Sequence, residues 1–151
     1  MLSKNEALKL ARSYASKDFL CSESVLMALA NTQKVESSLI PRIATGFGSG
    51  CGRCGEICGA LSGAIMGLGI KYGRDKVENL EGHRPYWFST QLINRFRDAE
   101  GAIRCSDLLG FDLSAQGSIE RYRSANLWEK KCIGLIVKAT EIAYDILSEE
   151  K

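Results

Sequence analysis

The residues of this chain that could do chemistry are its six cysteines, and three of them stand close together. Cys51, Cys54 and Cys58 lie in GFGSGCGRCGEICGALSGAIMGLGIKYG, the stretch from Gly46 to Gly73, which also holds ten of the 15 glycines. Cysteine attacks or ligates as the thiolate, so CxxCxxxC spacing points to thiol exchange or to metal ligation. Glycine costs backbone entropy on folding, so a cluster of it marks close backbone approach or left-handed φ. Read as a helix opening near Arg53, the spacing puts Cys54 and Cys58 on one face, one turn apart, with Cys51 in the loop before them. The free N–H groups and dipole of such an N-terminus favour an anion, which would hold these thiols below the free value of about 8.5. Arg53 would help and Glu56 oppose, each according to its side-chain direction.

The other three cysteines are scattered. Cys21 starts an apolar helix face, Cys105 begins a short turn, and Cys132 sits on the inward stripe of the last helix. Taken singly, each is explained by packing, because a free cysteine behaves as a small hydrophobe. Taken together, they could converge on the Cys51–Cys58 region. His83, the only histidine, reads as a solvent-facing loop residue in EGHRPYW. There is no GKS or GKT ending, no HExxH and no Ser/His/Asp grouping, so a P-loop, a zinc protease and a triad hydrolase are set aside.

The elements that must position these residues read as helices, since apolar spacing follows 3.6 residues and nothing alternates like a strand. One spans Asn5–Tyr14, with Ala7, Leu8, Ala11 and Ala15 inward. A second spans Cys21–Asn31 and a third Ser37–Thr45. The central helix runs from Arg53 to Tyr72 with Gly55, Gly59, Gly63 and Gly67 every fourth residue, a stripe that lets another helix come unusually close. Gly73 would end it in the left-handed conformation. A further helix spans Tyr86–Ala99, with Phe88, Leu92, Phe96 and Ala99 inward and Tyr86, Trp87 and Phe88 as core aromatics. The last runs from Ala125 to Ser148, with Trp128, Cys132, Leu135, Ile136, Ala139, Ile142, Ala143 and Ile146 inward. The expected fold is an all-α, single-domain bundle of about six helices around the glycine-rich one, occupying residues 1–151.

Composition agrees with a globular core: 45% hydrophobic and 25% charged. A core of this size needs no disulfide staples. A net charge of +2 leaves no footprint for nucleic acid; Arg121–Arg123 and Lys130–Lys131 read as solvated helix faces. The longest uncharged apolar run, Ile57–Ile70, falls short of the roughly 20 residues that span a bilayer. The N-terminus does not read as a secretory signal. The expectation is a cytoplasmic protein without membrane or nucleic-acid partners, in a compartment where a cysteine cluster marks a metal site or a catalytic pair. A second copy of the chain is a further surface on which a glycine-lined helix could pack.

The early cysteine in CSESVLMAL, the central GEICGALSGAIMGLGIKYG, the later cysteine in CSDLLGFDL and Cys132 together resemble the redox-active C_GCAxxG_C_C family. The resemblance runs from about Leu20 to Leu147. It implies that Cys21, Cys58, Cys105 and Cys132 are the signature cysteines, with Cys51 and Cys54 as additions. A related domain in split-Soret cytochromes is associated with an iron–sulfur cluster; without CxxCH here, no covalent haem is implied. Three activities stand open. The first is an iron–sulfur protein for electron transfer or redox sensing, ligated by Cys21, Cys58, Cys105 and Cys132 with Cys51 and Cys54 as further candidates; its redox partner protein is not specified by the sequence. The second is a thiol–disulfide oxidoreductase or redox sensor in which Cys51 attacks and Cys54 or Cys58 resolves. The third is a structural zinc site in an interaction protein.

Overall fold

The computed structural model describes residues 1–77 and 84–149; His83 lies outside the described residues. The elements are α1 (Lys4–Ser16), α2 (Cys21–Thr32), a 3-10 segment (Arg42–Phe47), a single turn α3 (Gly48–Cys51), α4 (Gly59–Tyr72), α5 (Trp87–Glu100), α6 (Cys105–Leu109), α7 (Ser118–Ser124), a π turn (Trp128–Cys132) and α8 (Ile133–Ser148). Among the described residues there is no strand, only an isolated antiparallel bridge between Ile57 and Arg104. The fold is all-α, with eight α segments where about six were expected. No helix among the described residues is long and apolar enough to cross a membrane.

The N-terminal pair is set by its caps and its small residues. Ser3 and Glu6 form a capping box: the Ser3 N–H donates to Glu6 Oε2 at 2.8 Å, and the Glu6 N–H donates to Ser3 Oγ at 3.3 Å. Ala7, Ala11 and Ala15 are fully buried against α2 and α8. At α2 the Leu20 N–H donates to Glu23 Oε1 at 2.9 Å. The glycines then let α4 lie against α2. A Cβ at Gly63 would strike the carbonyl oxygen of Ser22, and one at Gly67 would sit 2.7 Å from Leu29 Cβ. Packing cannot give way to that degree, because protein interiors are already close-packed. The helix α8 closes the other side with Leu135, Ile136, Ala139, Ile142, Ala143 and Ile146 buried, and α5 adds Phe88, Leu92 and Phe96.

Several sequence expectations need correction. The expected helix over 37–45 is instead a tight turn followed by the 3-10 segment, in which the Ala44 N–H donates to Pro41 O at 2.8 Å. Side chains of α2 hold that path: Ser22 Oγ donates to Ala44 O at 2.7 Å, while Thr45 Oγ1 donates to Glu23 Oε2 at 2.6 Å. The central helix opens at Gly59 rather than Arg53, because Ser49 through Arg53 all take left-handed φ, between 54° and 71°. Gly73 does end α4, but at φ −65° and ψ 159°, which is extended; glycine is needed there because a Cβ would strike the Gly69 carbonyl. Tyr86 is 52% exposed, since α5 begins one residue later and leaves it at the N-cap, and Ala99 is exposed in the last turn of α5. Trp87 and Phe88 do pack, on Tyr72, with ring centroids 4.8 and 5.9 Å away. The last helix is broken at Asn126, whose φ of 53° separates α7 from the π turn; asparagine is among the residues that tolerate this region.

The α2–α4 contact predicts opposite signs for one substitution at two glycines. Gly63→Ala should destabilise by about 1–3 kcal/mol, because the clash is with backbone. Gly69→Ala, which meets nothing within 4 Å, should stabilise by roughly 0.5–1 kcal/mol through helix propensity. Denaturant titration of the two variants checks both signs.

Candidate functional site

The two segments that carry four of the cysteines, residues 49–58 and 103–106, are joined by backbone before any side chain is considered. The Glu56 N–H donates to Gly50 O at 2.9 Å, and the Gly55 N–H to Ser49 O at 3.3 Å. The Cys58 N–H donates to Ile103 O at 2.8 Å, the Cys105 N–H to Glu56 O at 2.6 Å, and the Ser106 N–H to Gly55 O at 3.1 Å. The run that precedes Cys58 is thereby laced to the turn that carries Cys105. Gly50, at φ 71°, sits inside this lacing: a Cβ there would lie 2.6 Å from the Glu56 nitrogen and 2.8 Å from Cys105 Cβ. An ion pair between Arg104 Nε and Glu56 Oε2, 3.4 Å, covers the outer side.

Cys21 enters from α2 and Cys132 from the end of the π turn. A Cβ on Gly59 would collide with the Cys21 sulfur, so the absence of a side chain at the head of α4 is what admits Cys21 beside Cys58. The π turn ends on Cys132; such turns inside helices recur at functional sites. Cys21, Cys58, Cys105 and Cys132 all line one cavity of about 30 Å³, closed by Leu108, Leu109, Leu113, Leu135, Trp128 and Tyr122. Three cysteines that stand 37, 47 and 74 positions from Cys58 are therefore brought to it. Cys51 and Cys54 do not join them: both are exposed on the outer face of the loop. Nor do Cys54 and Cys58 share a helix face, since Cys54 lies in the irregular run and Cys58 caps α4.

All six cysteines are free thiols. Burial pushes the Cys58 thiol far up, with Cys21 and Cys105 adding like-charge repulsion; the N–H groups of Leu61 and Ala60 pull the other way and lose. The expectation of a lowered value at Cys58 is thus reversed in sign. The Cys21 thiol is raised by burial too, against N–H groups of Ser49, Ser22 and Cys21 itself. Cys105 is pushed up to about 12 by burial, then by Cys132 and Cys21. Cys132 rises to about 11 by burial, moderated by the Tyr122 hydroxyl, which donates to its sulfur at 3.2 Å. Among the described residues, no group of three or more His, Cys, Asp or Glu side chains is arranged to hold a metal ion; the four thiols share the lining of one cavity.

Two residues of the site escape the sequence reading. Ser49 aims its backbone N–H at Cys21, which no side-chain pattern signals. Tyr122 lies between Arg121 and Arg123, in a segment read as a solvated face; the arginines are exposed, but the tyrosine turns inward. The one available signal was helical spacing within α7.

The model of the family described as "Putative redox-active protein (C_GCAxxG_C_C)" matches residues 19–146. An "Uncharacterized protein" of Archaeoglobus fulgidus is 29% identical over 140 residues, covering 87% of this chain and 86% of its own length. No solved structure matches the chain. With four cysteines gathered in one cavity from the segments that the family model spans, the chain belongs to the redox-active C_GCAxxG_C_C family.

Proposed function

We propose that this protein holds an iron–sulfur cluster on Cys21, Cys58, Cys105 and Cys132 and serves electron transfer or redox sensing. The observation that carries the reading is the common cavity of four thiols drawn from α2, the head of α4, α6 and the π turn. Four thiolates are the usual complement of such a cluster, which when bound supplies one-electron chemistry. The donor set fits: every wall other than the thiols, Ser49 and Tyr122 is apolar or glycine. Backbone N–H groups of Ser49, Ala60 and Leu61 face the sulfurs of Cys21 and Cys58, and Tyr122 donates to Cys132. Such hydrogen bonds to sulfur, with burial, set the reduction potential. A tetrahedral zinc would need four sulfurs at about 2.3 Å from a single centre. A single zinc and a cluster would draw on the same four thiolates, and the metal and sulfide content of the protein decides between them.

Anaerobic purification from iron-supplied cells should give a brown protein with iron and acid-labile sulfide in similar amounts. Serine at any one of positions 21, 58, 105 or 132 should remove most of the iron, whereas Cys51→Ser and Cys54→Ser should retain it. Zinc, or no metal, in the wild-type protein would refute the reading.

The metal-free protein should show the raised thiols directly. At pH 8, iodoacetamide should modify exposed Cys51 and Cys54 and spare the cavity cysteines. The stability contributed by keeping those thiols protonated is full below the unfolded value near 8.5–9 and is lost as pH rises toward the folded values of about 11 and 12 at Cys132 and Cys105. Thermal unfolding of the metal-free protein should therefore move to lower temperature between pH 8 and 11. A melting temperature flat over that interval would contradict the burial described above.

A further inference from the structure

Cys51 and Cys54 lie outside the cavity and have no part in the function proposed for it. Both thiols are exposed. The Cys54 N–H donates to Cys51 O at 3.2 Å, closing a turn of the kind that holds its end Cα atoms within about 7 Å. Disulfides span Cα separations up to about 6.8 Å. The Cys54 side chain folds back over the turn, its sulfur 3.8 Å from Gly52 O between the two cysteines. The turn is held in shape by its left-handed run, by the bonds from Gly55 and Glu56 to Ser49 and Gly50, and by Gly50 packed on Cys105. Cys54 also borders an open polar cleft of about 630 Å³, lined by Glu56, Arg104, Asp107 and Asp112. That volume lies within the range of small-molecule sites; Arg104 is paired with Glu56 and Asp107, so the cleft is acidic on balance and suits the ammonium groups of an amino-acid or peptide thiol.

We propose that Cys51 and Cys54 form a surface dithiol–disulfide couple that exchanges with low-molecular-weight disulfides of amino-acid or peptide thiols. The cleft presents its occupant to Cys54, so the roles are the reverse of those expected from sequence. The Cys54 thiolate attacks one sulfur of the disulfide RSSR, forming Cys54–S–S–R and expelling RS⁻. The Cys51 thiolate then attacks the Cys54 sulfur, forming the Cys51–Cys54 bond and expelling the second RS⁻. The dithiol gives up two electrons, RSSR takes them, and the two protons of the protein thiols leave on two RSH. The couple runs in either direction according to the thiol pool.

The test uses the full protein, reduced, anaerobic and as purified, with oxidised glutathione as the probe. Mass spectrometry should find wild type lighter by two hydrogens, with a peptide crosslink between Cys51 and Cys54. Cys51→Ser should instead accumulate one glutathione on Cys54, an adduct that wild type does not keep. Independent glutathione adducts at both positions in wild type, a crosslink to Cys58 or Cys105, or no reaction would each overturn the proposal. Iron measured on the same samples separates the two sites. Loss of iron in Cys51→Ser or Cys54→Ser would make these residues ligands and end the couple, whereas an iron-free wild type that still forms the crosslink would refute only the cluster.

Discussion

The side-chain-free contact between α2 and α4 is the constraint on which the site depends. At Gly63 it brings helix against backbone, at Gly67 against the root of Leu29, and at Gly59 against the sulfur of Cys21. The same glycine row that sets the spacing of the helices thus sets how near Cys21 comes to Cys58. Larger residues would push α2 outward and carry Cys21 with it. The buried alanines of α1 and the apolar stripe of α8 then hold α2 and α4 from outside, so the register of the pair is determined by packing well away from the thiols.

Electrostatics in the cavity follow from a competition that burial wins. The head of α4 does offer N–H groups to Cys58, as a helix N-terminus should. Removing a thiolate from water costs more than those donors return, and a neighbouring thiolate adds to the cost. The cavity therefore keeps neutral thiols when nothing positive is present. A bound cation reverses that balance, because it is the largest local charge and deprotonates a coordinating thiol outright. Walls that penalise a bare thiolate are in this respect suited to hold thiolates around positive charge, and the hydrogen bonds from Ser49, Ala60, Leu61 and Tyr122 add to that suitability.

Much of this was legible in the sequence because it depended on periodicity. The 3.6-residue spacing gave α1, α2, α5 and the stripe of α8, and the four-residue glycine spacing gave the close helix pair. What periodicity could not give was the path from Ser49 to Cys58. Its shape depends on left-handed φ at Ser49, Cys51 and Arg53, which are not glycines and carry no mark of it, and on backbone bonds to residues 103–106, nearly fifty positions away. That long-range lacing outcompeted the local preference for continuing α4 backward to Arg53. Asn126 is a milder case: its residue type permits the break in the last helix without requiring it. The separation of Cys51 and Cys54 from the other four is equally a product of the lacing, since spacing alone placed Cys54 beside Cys58.

The roof of the cavity is made of main chain. Ser49 reaches the Cys21 sulfur with its amide, and Gly50 fills the space beside Cys105, while the side chains at 51, 53 and 54 point away from the interior. Those outer positions are consequently free to vary in side-chain chemistry so long as the backbone accepts its left-handed path. The interior and the exterior of one short loop form separable modules, so natural variation could add or remove reactive groups outside while leaving the enclosed chemistry intact.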